Sequence, residues 1–268
     1  MIDTIHFRSK KTMGLALSGG AAHGLAHIGV LQVLEEHDIP VSLVAGTSVG
    51  SIIGALWASG YKAREIYAIA EGVRKKDILK ITLPKKGIFS LAKLEEIIKE
   101  YIPHNSFESL DKPFGCVATH LNSGRALYMT TGPLAHAVAA SCAVPVVFNP
   151  VEIDGESYVD GGLVENVPAG LARHMGATRV IGVSLDHFYD FDENPDTIFR
   201  IMAHSIYLLG RRRKKKRDDD EGDIVVTPAI DKIDYDGLDR LEELYEKGYQ
   251  AAEKAVKKMQ KSLLFTRR

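Results

Sequence analysis

The sequence VSLVAGTSVGSIIGALWAS at residues 41–59 is the most informative part of the chain for predicting its fold. Its apolar start, residues 41–45, predicts a buried strand, and residues 49–59 predict a helix. Residues 46–50 fit Gly-x-Ser-x-Gly, in which a nucleophilic serine lies on a sharp strand-to-helix turn. Such a turn strains the backbone, so the neighbours of the serine must be small. We therefore predict that Ser48 is a nucleophile; a serine N-cap between two packing glycines is the alternative.

The same region could also be interpreted as a membrane span, because residues 39–61 contain no charged side chain and are long enough to cross a bilayer. Three of its glycines have the four-residue spacing of a membrane helix contact. Pro40, Gly46 and Gly60 interrupt the stretch, however. They favour a strand, a tight turn and a buried helix.

A second strand-to-helix link is the glycine-rich loop SGGAAHG at residues 18–24, between a strand predicted at 12–17 and a helix predicted at 25–37. It does not fit a dinucleotide-binding loop, because Ala21 stands where Gly-x-Gly-x-x-Gly requires glycine. It does not fit a P-loop either, because no Lys-Ser/Thr pair follows Gly24. Small residues leave backbone N–H groups free at a helix N-terminus, where they can hold developing negative charge. The loop therefore predicts an oxyanion hole, with close packing of turn and helix as the alternative.

A nucleophilic serine needs a base, and the sequence offers a carboxylate for this role. Asp160 and the two glycines after it follow a β-hairpin predicted at residues 151–159 from a two-residue Asp-Gly turn signal. An ordinary Asp-Gly turn explains Asp160 equally well. A Ser–Asp–His order is also possible, because three histidines follow: His174, His187 and His204. Of these His187 is presented best, whereas we expect His174 and the loop residue His23 to be exposed.

Predicted strands and helices alternate along the rest of the chain, which favours a mainly parallel sheet covered by helices. The last element is a long amphipathic helix predicted at residues 237–260. The sequence shows no internal repeat and no linker, so we expect a single domain over residues 1–268.

The charge balance argues against a nucleic-acid partner, since 34 Lys and Arg stand against 35 Asp and Glu, a net charge of −1. Two cysteines, Cys116 and Cys142, exclude a disulfide framework and favour a reduced, cytoplasmic compartment. Residues 1–11 lack the apolar core of a signal peptide. No Cys/His spacing resembles a zinc site, and we expect neither a metal nor a cofactor.

One segment is strongly charged, with seven consecutive cations at residues 211–217 and four acids at 218–221. We expect an exposed loop in which the two runs offset each other. The alternative is a contact with anionic lipid head groups, to which each cation contributes about 1 kcal/mol near the surface. Such a contact would give a transient peripheral membrane association.

Four motifs in one order give the sequence a family resemblance: LSGGAAHG with HIGVL (17–24 and 27–31), GTSVG (46–50), ASCAVP (140–145), and DGG with NVP (160–162 and 166–168). Over residues 14–183 it resembles the patatin-like phospholipase family of lipid acyl hydrolases, particularly its compact bacterial members. The resemblance implies a three-layer α/β/α fold and a catalytic dyad of Ser48 and Asp160 without a catalytic histidine. It also implies that backbone amides of the glycine-rich loop form the oxyanion hole, at Gly19, Gly20, Ala21 and Ala22.

Two residues depart from the family pattern. His23 stands in the glycine-rich loop where the family usually has Lys or Arg, and His120 stands where the family often has Asp. If the oxyanion donors are backbone amides, His23 leaves the hole intact. His120 is not part of the dyad, so we expect little effect on the chemistry.

The residues and the resemblance together predict a serine lipid acyl hydrolase, either a phospholipase A or lysophospholipase or a carboxylesterase, that acts through an acyl-enzyme. The expected substrates are phospholipids, lysophospholipids or fatty-acyl esters. A loop at residues 78–89 fits either a lid over an acyl-chain groove or a loop that packs on the core. The alternatives are a noncatalytic lipid-binding adaptor on the same fold and an α/β-hydrolase esterase with a Ser–Asp–His triad.

Overall fold

The computed structural model describes residues 12–74, 90–185, 221–230 and 238–265. Several predictions fall on parts of the chain outside these residues. They concern residues 1–11, the loop at 78–89, the cationic run at 211–217, His187 and His204.

Eight strands of the described residues form one sheet. They are β1 (Met13–Leu17), β2 (Leu43–Thr47), β3 (Phe114–His120), β4 (Ala126–Met129), β5 (Val151–Ile153), β6 (Glu156–Asp160), β7 (Arg179–Val183) and β8 (Ile224–Val226). The strand before Ser48 extends two residues beyond the predicted end at 45, because Gly46 and Thr47 still pair with β3.

The helices are α1 (Ala26–Glu36), α2 (Val49–Ala58), α3 (Ala63–Arg74), α4 (Ala92–Tyr101), α5 (Leu134–Ser141), α6 (Ala169–His174) and α7 (Leu241–Phe265). Two short 3₁₀ turns lie at Ala21–Leu25, where the glycine-rich loop ends, and at Gly161–Leu163, directly after Asp160. The C-terminal helix differs from the predicted 237–260, because a 3₁₀ turn at Leu238–Arg240 precedes it and the helix continues to Phe265.

The strand order is β5-β6-β3-β2-β1-β7-β8, with β4 paired to β3 outside this path. The four pairs β1–β2, β1–β7, β2–β3 and β7–β8 are parallel. The three pairs β3–β4, β3–β6 and β5–β6 are antiparallel. The expected mainly parallel sheet is confirmed, and its antiparallel strands all lie on the β3 side.

Helices cover both faces of this sheet. Along β1, Leu15 and Leu17 belong to the cluster that contains the apolar residues of α1, α2 and α5, whereas Ala16 packs with Leu171 and Ala172 of α6. This alternation follows from the two-residue period of a strand. The three-layer α/β/α arrangement is therefore confirmed.

No helix within the described segments is long and apolar enough to cross a membrane. The uncharged stretch at residues 39–61 instead contains β2, the turn at Ser48 and α2. Cys116 and Cys142 are both buried and have free thiols. The same described segments contain no group of three or more His, Cys, Asp or Glu side chains that could hold a metal ion.

Candidate active site

The register of the sheet brings Ser48 and Asp160 together. β2 runs parallel to β3 and ends with Thr47 opposite Val117. β6 runs antiparallel to β3 and ends with Asp160 opposite Ala118. β4 also pairs with β3 at Val117 and Ala118, so it occupies one edge of β3. β2 and β6 must therefore share the opposite edge of β3, where the end of one strand meets the end of the other. The residue after β2 therefore lies next to the last residue of β6.

Ser48 lies on a strained turn between β2 and α2. Its φ of 51° and ψ of −126° fall in a region that residues with a side chain rarely adopt. A Cβ on Gly46 would stand 2.5 Å from Cα of Ser51, and one on Gly50 would stand 2.2 Å from the carbonyl oxygen of Leu17. Only glycine fits on either side, as the pattern predicts. Ser48 is thus held at the N-terminus of α2, where the helix dipole favours negative charge.

Two buried serine side chains hold the backbone of Ser48. Its N–H donates to Oγ of Ser141 at 2.9 Å. Its carbonyl oxygen accepts from Oγ of Ser51 at 2.6 Å and from the N–H of Ser51 at 2.8 Å. The strained turn therefore leaves neither of its central backbone groups without a hydrogen bond. Sequence reasoning gave Ser51 and Ser141 no role, although Ser141 lies in the ASCAVP motif.

The carboxyl group of Asp160 is buried and only partly hydrogen-bonded. Oδ1 accepts the N–H of Gly162 at 2.7 Å, whereas Oδ2 has no hydrogen-bond partner among the described residues. Burial raises the pKa of Asp160 to about 6. The nearby Ser48 hydroxyl, which does not complete a hydrogen bond to Oδ2, and the Gly162 amide only partly counter this effect. A carboxylate with a free acceptor atom and a pKa near neutrality is suited to take a proton from a serine.

The segment that follows α5 contacts Asp160 as well as Ser48. The N–H of Asp160 donates to the carbonyl oxygen of Ala143 at 2.9 Å, and its carbonyl oxygen accepts the Thr119 hydroxyl at 2.8 Å. Sγ of Cys142 lies 3.8 Å from Oγ of Ser51. Burial and the negative charge of Asp160 raise the pKa of the Cys142 thiol, which therefore stays protonated. The thiol is part of the packing around Ser48 and Asp160.

The glycine-rich loop packs directly against the nucleophile turn. A Cβ on Gly19 would stand 3.2 Å from Cβ of Ser48. A Cβ on Gly24 would stand 2.3 Å from the side chain of Val49, the first residue of α2. The two predicted halves of the site, nucleophile and oxyanion loop, are therefore in contact.

The four predicted oxyanion donors differ in their hydrogen bonds. The N–H of Gly19 donates to the carbonyl oxygen of Asn166 at 3.3 Å. The amides of Gly20 and Ala21 have no acceptor among the described residues. Ala22 is buried within the 3₁₀ turn that follows. Gly20 and Ala21 are at least partly exposed, whereas Ala22 is buried.

Two histidines are buried at this loop. Nε2–H of His27 donates to the carbonyl oxygen of Ser18 at 2.8 Å, while Nδ1 has no partner within the described segments. Burial lowers the pKa of His27 to about 4, so the ring is neutral and Nε2 carries its proton. The prediction that His23 is exposed is wrong, because the 3₁₀ turn at Ala21–Leu25 carries its side chain into the core.

No Asp–His pair occurs at the site among the described residues. Of the Asp160 carboxylate oxygens, one binds the Gly162 amide and the other has no partner, so neither binds a histidine. His174 is exposed as predicted, and its ring centroid lies 5.5 Å from that of Tyr128. His120 binds Ser123 and Glu156 instead.

Asn166 is a site residue that sequence reasoning left without a role. Its Oδ1 lies 2.7 Å from where a Cβ on Gly19 would stand and 3.0 Å from where one on Gly162 would stand. The side chain therefore fills the space between the oxyanion loop and the turn after Asp160. The NVP motif at 166–168 was the available signal.

Known proteins resemble this chain in both sequence and fold. The family model described as patatin-like phospholipase matches residues 15–173. An uncharacterised NTE family protein of Mycobacterium bovis is 33% identical over 181 residues, which cover 66% of this chain and 50% of the relative. Patatin-like phospholipase domain-containing protein 6 of Homo sapiens is 35% identical over 182 residues, which cover 65% of this chain and 13% of the relative.

A longer match is to lysophospholipase nte1 of Aspergillus fumigatus, at 26% identity over 279 residues, 93% of this chain and 18% of that one. The chain therefore spans half or less of the length of these curated relatives. VipD from Legionella pneumophila shares the fold, with a TM-score of 0.54 and 13% identity over 93% of this chain and 67% of VipD. Since the family model covers more than half of its residues, this chain belongs to the patatin-like phospholipase family.

Proposed function

We propose that this protein is a serine lipid acyl hydrolase that uses a Ser48–Asp160 dyad to cleave phospholipids, lysophospholipids or fatty-acyl esters. The observation that carries the proposal is the meeting of β2 and β6 along one edge of β3, which puts a strained serine beside a buried carboxyl group. Family membership and the similarity to a lysophospholipase support a lipid ester as the substrate.

In the acylation step, Oγ of Ser48 attacks the ester carbonyl carbon while its proton passes to Oδ2 of Asp160. The carbonyl electrons move onto oxygen, and the tetrahedral intermediate then expels the alcohol, which takes the proton from Asp160. The fatty acyl group is left as an ester on Ser48. Water attacks this ester with Asp160 again as the base, so that fatty acid is released and Ser48 is restored.

The raised pKa of Asp160 suits this role. At pH 7 a carboxyl group with a pKa of about 6 is mostly ionised, yet it is a stronger base than an exposed aspartate. The same burial that raises the pKa keeps Oδ2 away from competing hydrogen bonds with the described residues.

The developing oxyanion needs donors on the side of the glycine-rich loop. We assign this role first to the N–H groups of Gly20 and Ala21, which have no acceptor among the described residues. The N-terminus of α2 adds its dipole. Loss of one such donor typically lowers the rate by about 10²–10³. Gly19 can contribute only when its long bond to Asn166 is released.

The proposal is tested with a fluorophosphonate probe, which labels activated serines, and with p-nitrophenyl esters of increasing chain length. We expect labelling and turnover by the wild type and neither by Ser48→Ala. Asp160→Asn should lose about 10³-fold or more in turnover, because the serine proton has no acceptor. Ser42→Ala is the matched control, since Ser42 is exposed just before β2 whereas Ser48 follows it.

A matched control also exists for the base. Asp154 is exposed in the β5–β6 turn with φ 51°, a conformation that asparagine tolerates, so Asp154→Asn should retain full activity. His187→Ala tests the alternative of a Ser–Asp–His triad. An inactive His187→Ala together with an active Asp160→Asn would favour the triad. A wild type that is neither labelled nor active would contradict the hydrolase and leave a noncatalytic lipid-binding adaptor.

A further inference from the structure

Val146 has a strained backbone conformation and an exposed apolar side chain, and neither feature stabilises the fold. Its φ is 70°, in the left-handed region, where a β-branched residue is strongly disfavoured. Its exposed fraction is 55%, compared with 49% for Leu121 and 43% for Val225, the other large hydrophobic residues exposed in the described segments. Burial of the side chain therefore does not offset the strain.

The backbone around Val146 forms a tight apolar turn with the sequence VPVVF at residues 144–148. The N–H of Phe148 donates to the carbonyl oxygen of Val144 at 2.9 Å and closes the turn around the three residues between them. Phe148 packs against the main core cluster. Because the turn is closed and anchored at this end, Val146 is kept in its strained conformation.

This apolar turn is continuous with the candidate active site. The segment just before it provides Ser141, which binds the N–H of Ser48, and Ala143, which accepts the N–H of Asp160. Val146 is three residues beyond Ala143, so their Cα atoms are at most about 11 Å apart. Val146 therefore lies within about 11 Å of the residue whose carbonyl oxygen binds the backbone of Asp160.

We propose that Val146 contacts the acyl chain of the lipid substrate at the entrance to the active site and so sets a preference for long chains. The inference rests on the proposed function. An ester bound at Ser48 must extend its acyl chain away from the buried dyad, and the proposal places this chain against the exposed apolar surface of Val146. Contact removes apolar surface of both groups from water, which is favourable in proportion to the area. A strained residue that persists in a fold is often part of a ligand site.

The test compares two soluble esters, p-nitrophenyl acetate and p-nitrophenyl octanoate, below the concentration at which the octanoate aggregates. Asparagine tolerates the left-handed conformation, so Val146→Asn removes the apolar surface without forcing a new backbone. We expect kcat/KM for the octanoate to fall about fivefold while that for the acetate stays within about twofold. Val225→Asn is the matched control, an exposed valine on β8, and should leave the octanoate-to-acetate ratio unchanged.

Two further measurements separate contact from folding. Val146→Asn should melt at the same temperature as the wild type or about 2–4 °C higher, because the β-branched strain is removed. Val146→Leu keeps apolar surface and should retain the preference for octanoate. An equal loss on both esters together with a lower Tm would point to a structural role and overturn the inference.

The inference and the proposed function fail in different ways. If the wild type hydrolyses both esters and Val146→Asn shows the wild-type octanoate-to-acetate ratio, only the inference is overturned. A wild type that hydrolyses neither ester and resists the fluorophosphonate probe overturns the proposed function, and the inference falls with it.

Discussion

Ser48, on the turn after β2, lies next to Asp160, the last residue of β6, but the feature that costs free energy differs between the two residues. At Ser48 the backbone is strained, with φ 51°, while its N–H and carbonyl oxygen are both hydrogen-bonded. At Asp160 φ is −46°, a negative value without such strain, while the carboxyl group is buried with Oδ2 unpartnered in the described segments.

The difference shows that separate physical effects set the state of the two groups. Packing fixes the position of the serine, because glycines and buried hydroxyls surround its turn. Desolvation sets the proton affinity of the carboxyl group, so its charge depends on pH. Each effect can therefore be changed without the other.

The largest effect is expected for Gly50→Ala, which breaks the packing on the Ser48 side. The added Cβ would stand 2.2 Å from the carbonyl oxygen of Leu17 and 2.6 Å from that of Ser18, and backbone cannot yield as a flexible side chain can. We expect the free energy of unfolding in urea to fall by more than about 3 kcal/mol and ester hydrolysis to be lost.

Gly72→Ala is the matched control for this substitution. A Cβ on Gly72, on an exposed position of α3, meets no atom within 4 Å. Alanine is the better helix former, so this variant should gain about 0.5–1 kcal/mol. If Gly50→Ala unfolds within about 1 kcal/mol of the wild type, the turn is not held by the contacts described.

Asp160→Asn removes the buried charge at Asp160 and leaves the turn at Ser48 unchanged. Because burial raises the pKa of Asp160 from 3.8 to about 6, the native state binds a proton between pH 4 and 6 that the unfolded chain has already released. The free energy of unfolding of the wild type should therefore fall as pH rises through this range, by up to about 3 kcal/mol. Asparagine has no charge to desolvate, so the variant should exceed the wild type by about 2 kcal/mol at pH 8.

Urea unfolding of both proteins between pH 4 and pH 8 provides the measurement. Asp154→Asn keeps the carboxyl group of Asp160 and should follow the wild-type pH dependence. Ester hydrolysis by the wild type should rise with pH through about 6, since only ionised Asp160 can accept the serine proton. If the free energy of unfolding changes with pH in the same way for the wild type and Asp160→Asn, desolvation of the Asp160 carboxyl group does not contribute to the pH dependence of stability.

The Ser48 half of the site could be predicted from sequence, and the Asp160 half could not be predicted from local sequence alone. A strand, three small residues and a helix leave few conformations for GTSVG, so the turn follows from residues 46–50. Asp160 is followed by two glycines, which an ordinary turn also explains. The position of Asp160 next to Ser48 depends on the register of β6 against β3. The local sequence of the hairpin does not determine this long-range pairing.

The supporting residues were harder still to predict. Ser141 lies 93 residues from Ser48 in the chain, and its hydroxyl acts only after α5 packs beside α2. The burial of His23 likewise depends on a 3₁₀ turn where the sequence indicates an open loop. The family resemblance indicated the segments that contain both residues, whereas the hydrogen bond of Ser141 and the burial of His23 arise from tertiary packing.

The smallest effect is expected for the backbone strain at Ser48, which can be measured by comparing the free energies of unfolding of Ser48→Ala and Ser48→Gly. Both variants lack the hydroxyl group, so their difference reports the cost of a Cβ at φ 51° and ψ −126°. Such strain costs about 1–3 kcal/mol, whereas the flexibility of unfolded glycine costs about 0.5–1 kcal/mol. Ser48→Gly should therefore be more stable than Ser48→Ala by about 1 kcal/mol in urea unfolding. The same pair at Ser51, inside α2, should give the opposite sign, because an α-helix favours alanine. Equal signs at the two positions would mean that the turn at Ser48 is not strained.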